Sequence, residues 1–162
     1  MALKLKFLNY YIHPVKGQLK FQALNPFTER IEILTTGRAW VLHENNYREV
    51  QRGDILWHVE GESAIVKSDP QNPYECLNII FQIKELRQRP HSRINRWHDI
   101  DELDLFCQRA NKEFREGLIA KDVFDQHIIT RIEYQIAKSK VSKNHSEFPL
   151  TLKKAIGMIQ KN

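Results

Sequence analysis

Seven histidines and two cysteines are the side chains of this sequence best suited to nucleophilic, acid–base or metal chemistry. Cys76 and Cys107 lie far apart, and no histidine stands at a spacing that ties it to a cysteine or serine nucleophile. His43 and Glu44 are adjacent, so in a strand they face opposite sides and make a poor acid–base pair. The six glycines are dispersed and form no phosphate-binding loop. The sequence therefore predicts a protein that is not an enzyme.

The composition is that of an ordinary globular chain. Its 162 residues are 41% hydrophobic and 28% charged, enough for one domain with a core or for a domain with appended helices. No apolar run approaches the ~20 residues needed to cross a bilayer, and the N-terminus lacks a secretory pattern. The cysteines show no CxxC motif and no clustering with histidine, which argues against a disulfide framework or a zinc site. We expect a cytoplasmic protein without a membrane partner.

The net charge of +5 is concentrated in a basic C-terminal tail. From position 138 onward there are six lysines and one acidic residue, whereas residues 1–137 hold 19 basic and 19 acidic side chains. A neutral body with a basic tail does not have the electrostatic footprint of a nucleic-acid-binding domain. The tail either lies near phosphate or is solvated.

The first half of the chain has the pattern of β-structure. Short runs rich in Ile, Val, Leu, Trp and Thr are separated by turn signals at Thr36-Gly37, Asn45-Asn46 and Arg52-Gly53-Asp54. Because asparagine tolerates a positive φ, the segment VLHENNYREV is predicted to be a hairpin. Strands that recur at intervals of about 8–12 residues indicate a sandwich or a barrel over residues 1–83.

Residues 84–98 form a basic connector, and two helical patterns follow over residues 99–147. The first has one apolar stripe, and acidic residues in its first turn complement the helix dipole. The second has a broad apolar side that we expect to pack on the barrel or on a second copy of the chain: Val123, Ile128, Ile129, Ile132 and Ile136. A third stripe begins near Pro149 with nothing to pack on, so we expect residues 148–162 to be a stub that leads into a missing domain.

Three segments in this order resemble the N-terminal domain of AraC-family bacterial transcription regulators. They are YREVQRGDILWH at 47–58, PYECLNIIF at 73–81 and FPLTLKKAIGMIQKN at 148–162, and Gly37 precedes them. The last segment looks like the one that leads into the helix-turn-helix DNA-binding domain of that family. The resemblance implies a cupin-like barrel (a double-stranded β-helix, or jelly roll) followed by two to three C-terminal helices.

The resemblance also supplies a register in which to look for metal ligands. In metal-binding cupins a second motif runs Gly, five residues, Pro-x-Gly, two residues, His. Counted from Gly53, the histidine position is Ala64. The glutamate position of the first motif falls at Arg30, and NPFTERIEIL contains no histidine. A cation there opposes a bound metal, so we expect a metal-free barrel without a cofactor.

A metal-free barrel of this size can hold one small ligand, an effector of unknown identity such as a sugar. If Arg30 and Ala64 point inward, the candidate ligand-binding residues are Arg30, Glu32, Arg38, Trp40, Trp57 and Ala64. Arg38 offers a guanidinium for a hydroxyl or carboxylate, and Trp40 offers an indole face for a sugar ring. The alternative is that Trp40 is core and Arg38 makes a structural ion pair.

The resemblance implies the effector-sensing and dimerising domain of a transcriptional regulator. A small molecule in the barrel would shift the barrel, the helices or the N-terminal arm at residues 1–14. A homodimer is expected through the apolar side of the second helix, and DNA is a partner only through the missing C-terminal domain.

Two alternatives remain open. A stand-alone metal-free cupin enzyme, of the sugar epimerase or isomerase type, needs an inward base such as His58 or Tyr47, and nothing in the sequence pairs an acid with either. A pure dimerisation module would have a barrel filled by bulky side chains: Leu34, Trp40, Trp57 and Phe81.

Overall fold

The computed structural model of the chain describes residues 3–14, 19 and 22–146. Within these ranges the strands are β1 Lys4–Ile12, β2 Thr28–Thr36, β3 Arg38–His43, β4 Asn46–Gln51, β5 Asp54–His58, β6 Lys67–Ser68, β7 Glu75–Gln82 and β8 Ile94–Arg96. The helices are α1 Ile100–Glu116 and α2 Lys121–Ser146. The chain is therefore mainly β with two helices after the strands, as the sequence predicted. The expected stub at 148–162 lies outside the described residues.

The strands form two antiparallel sheets. The first sheet has the order β1-β7-β2-β5-β8, and the second has the order β4-β3-β6. Two of these strands come from segments for which the sequence predicted no strand. β1 occupies most of the expected N-terminal arm and pairs with β7, and β8 lies within the expected connector and pairs with β5. No ladder joins the two sheets in the part of the chain that the structure describes, so a closed barrel remains a prediction.

Two tight turns depend on residues that tolerate a positive φ. The predicted hairpin is formed by β3 and β4, and its loop residues Glu44 and Asn45 have φ values of 49° and 62°. That is the pattern of a type I′ turn, and it lies one residue earlier than the expected Asn45-Asn46 pair. Gly37 has φ 77°, and an added Cβ would lie 2.1 Å from the carbonyl oxygen of Pro73, so the turn before β3 requires glycine.

Side chains alternate along each strand, which gives the first sheet two different faces. We call the face that α1 and α2 cover the outer face, and its fully buried side chains include Ile31, Ile33, Ile55, Trp57, Leu77, Ile79 and Phe81. The inner face is turned toward the second sheet. Its apolar residues pack with those of β3 and β4 in a second core: Leu34, Leu56 and Cys76 with Ala39, Val41 and Val50.

Both helices are held on the outer face by apolar contacts and by specific hydrogen bonds. The buried side of α1 carries Leu103, Cys107 and Ala110. The helix α2 is bonded to β1, an edge strand of the first sheet. The Leu5 backbone N–H donates to the Asp125 carboxylate over 3.0 Å, and the Lys121 ammonium donates to the Leu5 carbonyl. The first strand is thus tied to the last helix. Neither α1 nor α2 has the length and apolar character needed to cross a membrane.

Candidate functional site

The inner face of the first sheet carries a group of polar side chains, the inner polar cluster: Arg30, Glu32, His58, Asn78 and Arg93. Arg30 and Glu32 are two positions apart on β2, so they share a face with each other and with the core residue Leu34. The strand register sets Arg30 opposite His58 of β5 and Glu32 opposite Asn78 of β7. Arg93 reaches the same place from the residue before β8.

Three members of the cluster form a buried hydrogen-bonded network. His58 has no exposed surface, and a carboxylate oxygen of Glu32 lies 2.8 Å from His58 Nε2. Nitrogens Nε and Nη2 of the Arg93 guanidinium each lie 3.3 Å from His58 Nδ1. Because a guanidinium only donates hydrogen bonds, Nδ1 must accept, and the ring proton therefore sits on Nε2 and is donated to Glu32. Both ring nitrogens of a neutral imidazole are engaged by the protein itself.

Backbone carbonyls hold the Arg93 side chain between β5 and the second sheet. Its nitrogen Nη1 donates to the Leu42 carbonyl over 2.5 Å, and Nη2 donates to the Ser63 carbonyl over 2.7 Å. Burial lowers the pKa of Arg93, whereas the nearby Glu62 carboxylate, 3.7 Å from Nε, acts in the opposite direction. Arg93 thereby links both sheets through one side chain.

Glu62 connects this arginine to a second one. Its carboxylate lies 2.6 Å from Arg89 Nη1 and accepts the Val59 backbone N–H over 2.9 Å. Burial by itself raises the pKa of Glu62, but the two hydrogen bonds and the charges of Arg89 and Arg93 outweigh it. The pKa of this carboxyl therefore lies below its ordinary value.

Two buried polar atoms of the described residues have no hydrogen-bond partner, and both belong to the inner polar cluster: Arg30 Nε and Asn78 Oδ1. No hydrogen bond or ion pair joins the Arg30 guanidinium to another described residue. The Asn78 amide nitrogen donates to Asn9 Oδ1 over 3.3 Å. A buried donor or acceptor without a partner costs about 1–3 kcal/mol. One donor on β2 and one acceptor on the neighbouring strand β7 are thus left without a partner on the inner face.

An aromatic group lies beside Cys76 in the second core. The rings of His13 and Tyr74 stack with centroids 5.4 Å apart, and the Tyr11 hydroxyl lies 3.0 Å from His13 Nδ1. Burial raises the pKa of Tyr74, and the Glu32 carboxylate raises it further. The same two causes raise the pKa of the Cys76 thiol. The Tyr74 phenol and the Cys76 thiol therefore stay neutral, so this part of the second core contains polar groups but no charge from these two side chains.

Of the residues predicted to bind a ligand, the structure brings Arg30 and Glu32 together on the inner face. Arg38 and Trp40 lie on the side of β3 opposite the buried Ala39, because the pleat turns alternate residues outward. Arg38 Nε donates to the Asp69 carboxylate over 2.8 Å, which is the structural ion pair named as its alternative role. The Lys67 ammonium lies 4.8 Å from the Trp40 ring centroid. Ala64 is half-buried in the segment between β5 and β6.

Trp57 lies on the outer face rather than between the sheets. Its indole N–H donates to the Glu29 carboxylate over 2.8 Å, and the Arg87 guanidinium forms two further hydrogen bonds to the same carboxylate at 2.8 and 3.0 Å. Glu29 and Trp57 have no exposed surface. The carboxylate of this outer network has all its partners, and the Trp57 side chain packs in the core of the outer face.

Four of the five residues predicted to form the dimer interface pack inside the chain. Ile128, Ile129, Ile132 and Ile136 are buried against the outer face, so α2 takes the first of its two expected roles and packs on the sheet. Val123 is 58% exposed. A second copy of the chain would therefore have to contact a different side of α2.

The sequence did not reveal that His58 has an acidic partner. Nothing in the sequence pairs an acid with His58, whereas the structure places a Glu32 carboxylate oxygen 2.8 Å from its Nε2. The signal was present in the alternation of β2 and β5, but it becomes usable only when the register of the two strands is known. Arg93 gave no signal, because it stands among other basic residues in the expected connector.

The described residues contain no group of three or more His, Cys, Asp or Glu side chains that could hold a metal ion. Glu32 and His58 are two potential ligands, and His58 has no ring nitrogen left for a metal in the observed arrangement.

No family model matches the chain, and no curated protein matches it. Among solved structures, the chain is similar to a cupin protein from Bacteroides fragilis, with 16% sequence identity and a TM-score of 0.38. The similarity covers 51% of this chain and 68% of that chain. A cupin is thus among the structures that resemble this chain, at a level too low to carry an assignment of family or activity.

Proposed function

We propose that this chain is the ligand-sensing domain of an AraC-type transcriptional regulator of the bacterial cytoplasm, with a cupin-like barrel that binds one small polar molecule on the inner face. The supporting observation is the pair of buried atoms without partners, Arg30 Nε and Asn78 Oδ1, in a cluster whose other buried polar atoms are satisfied. A ligand that supplies an acceptor and a donor recovers the free energy these atoms forfeit.

The same cluster has a physical connection to the helices. Arg93 touches His58 and directly precedes β8, and two residues beyond that strand the backbone N–H groups of His98 and Asp99 donate to Gln135 of α2 over 3.0 and 2.8 Å. A ligand that displaces the Arg93 side chain would therefore disturb the segment after β8 to which α2 is hydrogen-bonded. The ligand can shift the position of α2 only if it binds one conformation of the domain more tightly than the other. The difference in binding free energy is typically ~1–3 kcal/mol.

Dimerisation is the second part of the proposal, and we assign it to the exposed side of α2. The exposed side of α2 carries two series of residues that each recur every seven positions and that alternate with each other. One series is Val123, Thr130 and Ala137, and the other is His127, Tyr134 and Val141. All six are exposed, and this a/d spacing is that of a two-helix coiled coil. DNA binding belongs to a domain beyond the described residues.

A second candidate, the metal-free sugar epimerase or isomerase, is favoured by one observation: the acid that His58 needed is present, 2.8 Å from its ring. A general base must present a free nitrogen to its substrate. Both nitrogens of His58 are occupied, which favours binding over catalysis.

The proposal is tested by a thermal-shift screen of the whole chain against small sugars, sugar acids and organic acids. We expect at least one compound to raise the unfolding temperature, since a ligand at about a hundred times its Kd adds about 2.7 kcal/mol. Asn78→Leu should abolish the shift, and Arg38→Ala on the outward side of β3 should not. A compound that is turned over, with loss of turnover in His58→Asn, would instead establish the enzyme. A screen without any Asn78-dependent shift would refute ligand sensing at the inner face.

Dimerisation has its own test, light scattering at micromolar concentrations. Tyr134→Glu should yield monomers, and Lys140→Glu, exposed on the same helix outside the stripe, should leave the mass unchanged. A monomeric wild-type chain would contradict this part of the proposal.

A further inference from the structure

We propose that the ligand of the inner polar cluster is a small hydroxycarboxylate, of the size of a sugar acid, and not a neutral sugar. This inference rests on the proposed function, because it names the chemical class of the molecule bound there. It is carried by the charges around the cluster and by the two atoms that lack partners.

The charges of the cluster and of its ion-pair partners do not balance. Three arginines, Arg30, Arg89 and Arg93, face two carboxylates, Glu32 and Glu62. Glu62 is engaged by Arg89 at 2.6 Å and by Arg93 at 3.7 Å, and Glu32 is engaged by the His58 ring. The guanidinium of Arg30 is left with no carboxylate, although its Nε is buried. One positive charge is uncompensated, which fits a ligand with one negative charge.

The geometry of Arg30 favours a carboxylate as the group that supplies this charge. A guanidinium is planar, and its parallel N–H groups match the two oxygens of a carboxylate in a bidentate pair. A neutral sugar hydroxyl offers one oxygen and no charge, so it leaves the guanidinium uncompensated.

Asn78 calls for a second group on the same ligand. Its Nδ2 is committed to Asn9 at 3.3 Å, so the free atom is the acceptor Oδ1, which needs a donor such as a hydroxyl. Arg30 and Asn78 are diagonal neighbours on adjacent strands, at Cα positions on the order of 7–8 Å apart. A simple fatty acid leaves Oδ1 without a partner, whereas a hydroxy acid satisfies both residues.

One part of the inner face is partly exposed to solvent. Arg30 and Ile80 are half-buried, and Phe7 in the same row of the inner face is 45% exposed. The deeper residues His58 and Glu32 are closed off, at 0% and 5% exposure. Of the charged residues on β2, Arg30 is therefore more accessible to an anion in solution than Glu32.

The test compares galacturonate with galactose, which differ at one carbon in carboxylate against hydroxymethyl, and includes gluconate, glycerate and butyrate. Isothermal titration calorimetry on the whole chain should show binding of at least one hydroxy acid. Galactose and butyrate should bind more weakly by about tenfold or more. The affinity should also fall as ionic strength rises.

Two variants locate the binding. Arg30→Gln should weaken hydroxy-acid binding by about tenfold or more, and Arg38→Gln should leave it unchanged. Arg30→Lys keeps the positive charge but loses the paired N–H groups of the guanidinium, so this variant should bind the hydroxy acid with intermediate affinity. It serves as a second test if Arg30→Gln does not fold. Hydroxy-acid binding that is indifferent to both Arg30 variants overturns the inference.

The inference and the proposed function fail in different ways. If galactose binds as tightly as galacturonate, or if only a compound outside the hydroxy acids gives an Asn78-dependent shift, the inference is overturned and ligand sensing stands. If no compound of any class gives such a shift, both are overturned.

Discussion

The two faces of the first sheet bury acidic side chains in opposite ways, although the residues are neighbours in the sequence. On the outer face, Glu29 accepts three hydrogen bonds from Trp57 and Arg87 and is sealed under the connector. On the inner face, the cluster around Glu32 leaves a donor on Arg30 and an acceptor on Asn78 unused. Burial of charge alone therefore does not distinguish a site from a core, but the completeness of the hydrogen bonding does.

The apolar packing of the outer face gives the largest expected effect. Ile132→Ala should lower the free energy of unfolding by about 2–5 kcal/mol, because it opens a cavity between α2 and the sheet. Val123→Ala, on the exposed side of the same helix, should change it by less than about 0.5 kcal/mol at low protein concentration. Urea denaturation measures both. Equal losses would mean that the stripe does not pack inside the chain.

The contrast between the faces is sharpest at two adjacent residues. Glu29→Gln should cost about 1–3 kcal/mol, because Arg87 loses the charge of its buried partner. Arg30→Met should not lower the free energy of unfolding and should raise it by up to about 1–3 kcal/mol, since no described group loses a partner and a buried donor without a partner is removed. A large loss for Arg30→Met in denaturation experiments would show that the inner face is complete, and it would remove the argument for a ligand.

The Glu62 carboxyl gives a smaller, pH-dependent effect. Its pKa is lower in the folded chain than in the unfolded chain, so its contribution to stability is present above the ordinary range of a glutamate. That contribution is lost as the pH falls through the folded-state pKa. The stability difference between wild type and Glu62→Gln should therefore shrink as the pH is lowered from about 6 to about 3. A difference that is constant with pH, measured by urea denaturation, would contradict the assigned network.

The smallest effect is expected at the outward side of the second sheet. Arg38→Ala removes an ion pair with Asp69 from a half-exposed side chain, and it should lower the unfolding temperature only slightly. Thermal unfolding measures this. A larger loss would show that the Asp69 turn depends on the arginine.

Elements with clear turn residues or a regular spacing of apolar residues were predictable from the sequence. A very short strand and an edge strand with lysines were not. The hairpin of β3 and β4 and both helices follow from turn residues and apolar stripes. β8 has three residues among basic neighbours, so it carries no alternation that could reveal it. β1 mixes lysines with apolar residues because it is an edge strand, and it resembled a loose arm for that reason.

The site was predictable only in part. Arg30 was predicted from its place in a motif register and Glu32 from its parity with Arg30, and the structure puts both on the inner face. Arg38 and Trp40 were included because parity between strands cannot be read from one strand alone, and a shift of one residue turns a side chain to the other face. The pairing of Glu32 with His58 depends on the register of β2 and β5. The contact of Arg93 with His58 depends on the path of the connector, whose sequence has no periodic pattern from which that path could be predicted.

The bond between Leu5 and Asp125 spans 120 positions of the chain, and this separation has a consequence for synthesis. At translation rates of about 5–20 residues per second, the partner of Leu5 is made on the order of 10 s after Leu5 itself. Throughout that interval the first strand has no helix to hold it, and contacts of such long range are slow to form in any case. The N-terminal strand therefore waits far longer for its helical partner in a nascent chain than β8, whose following residues His98 and Asp99 bind Gln135.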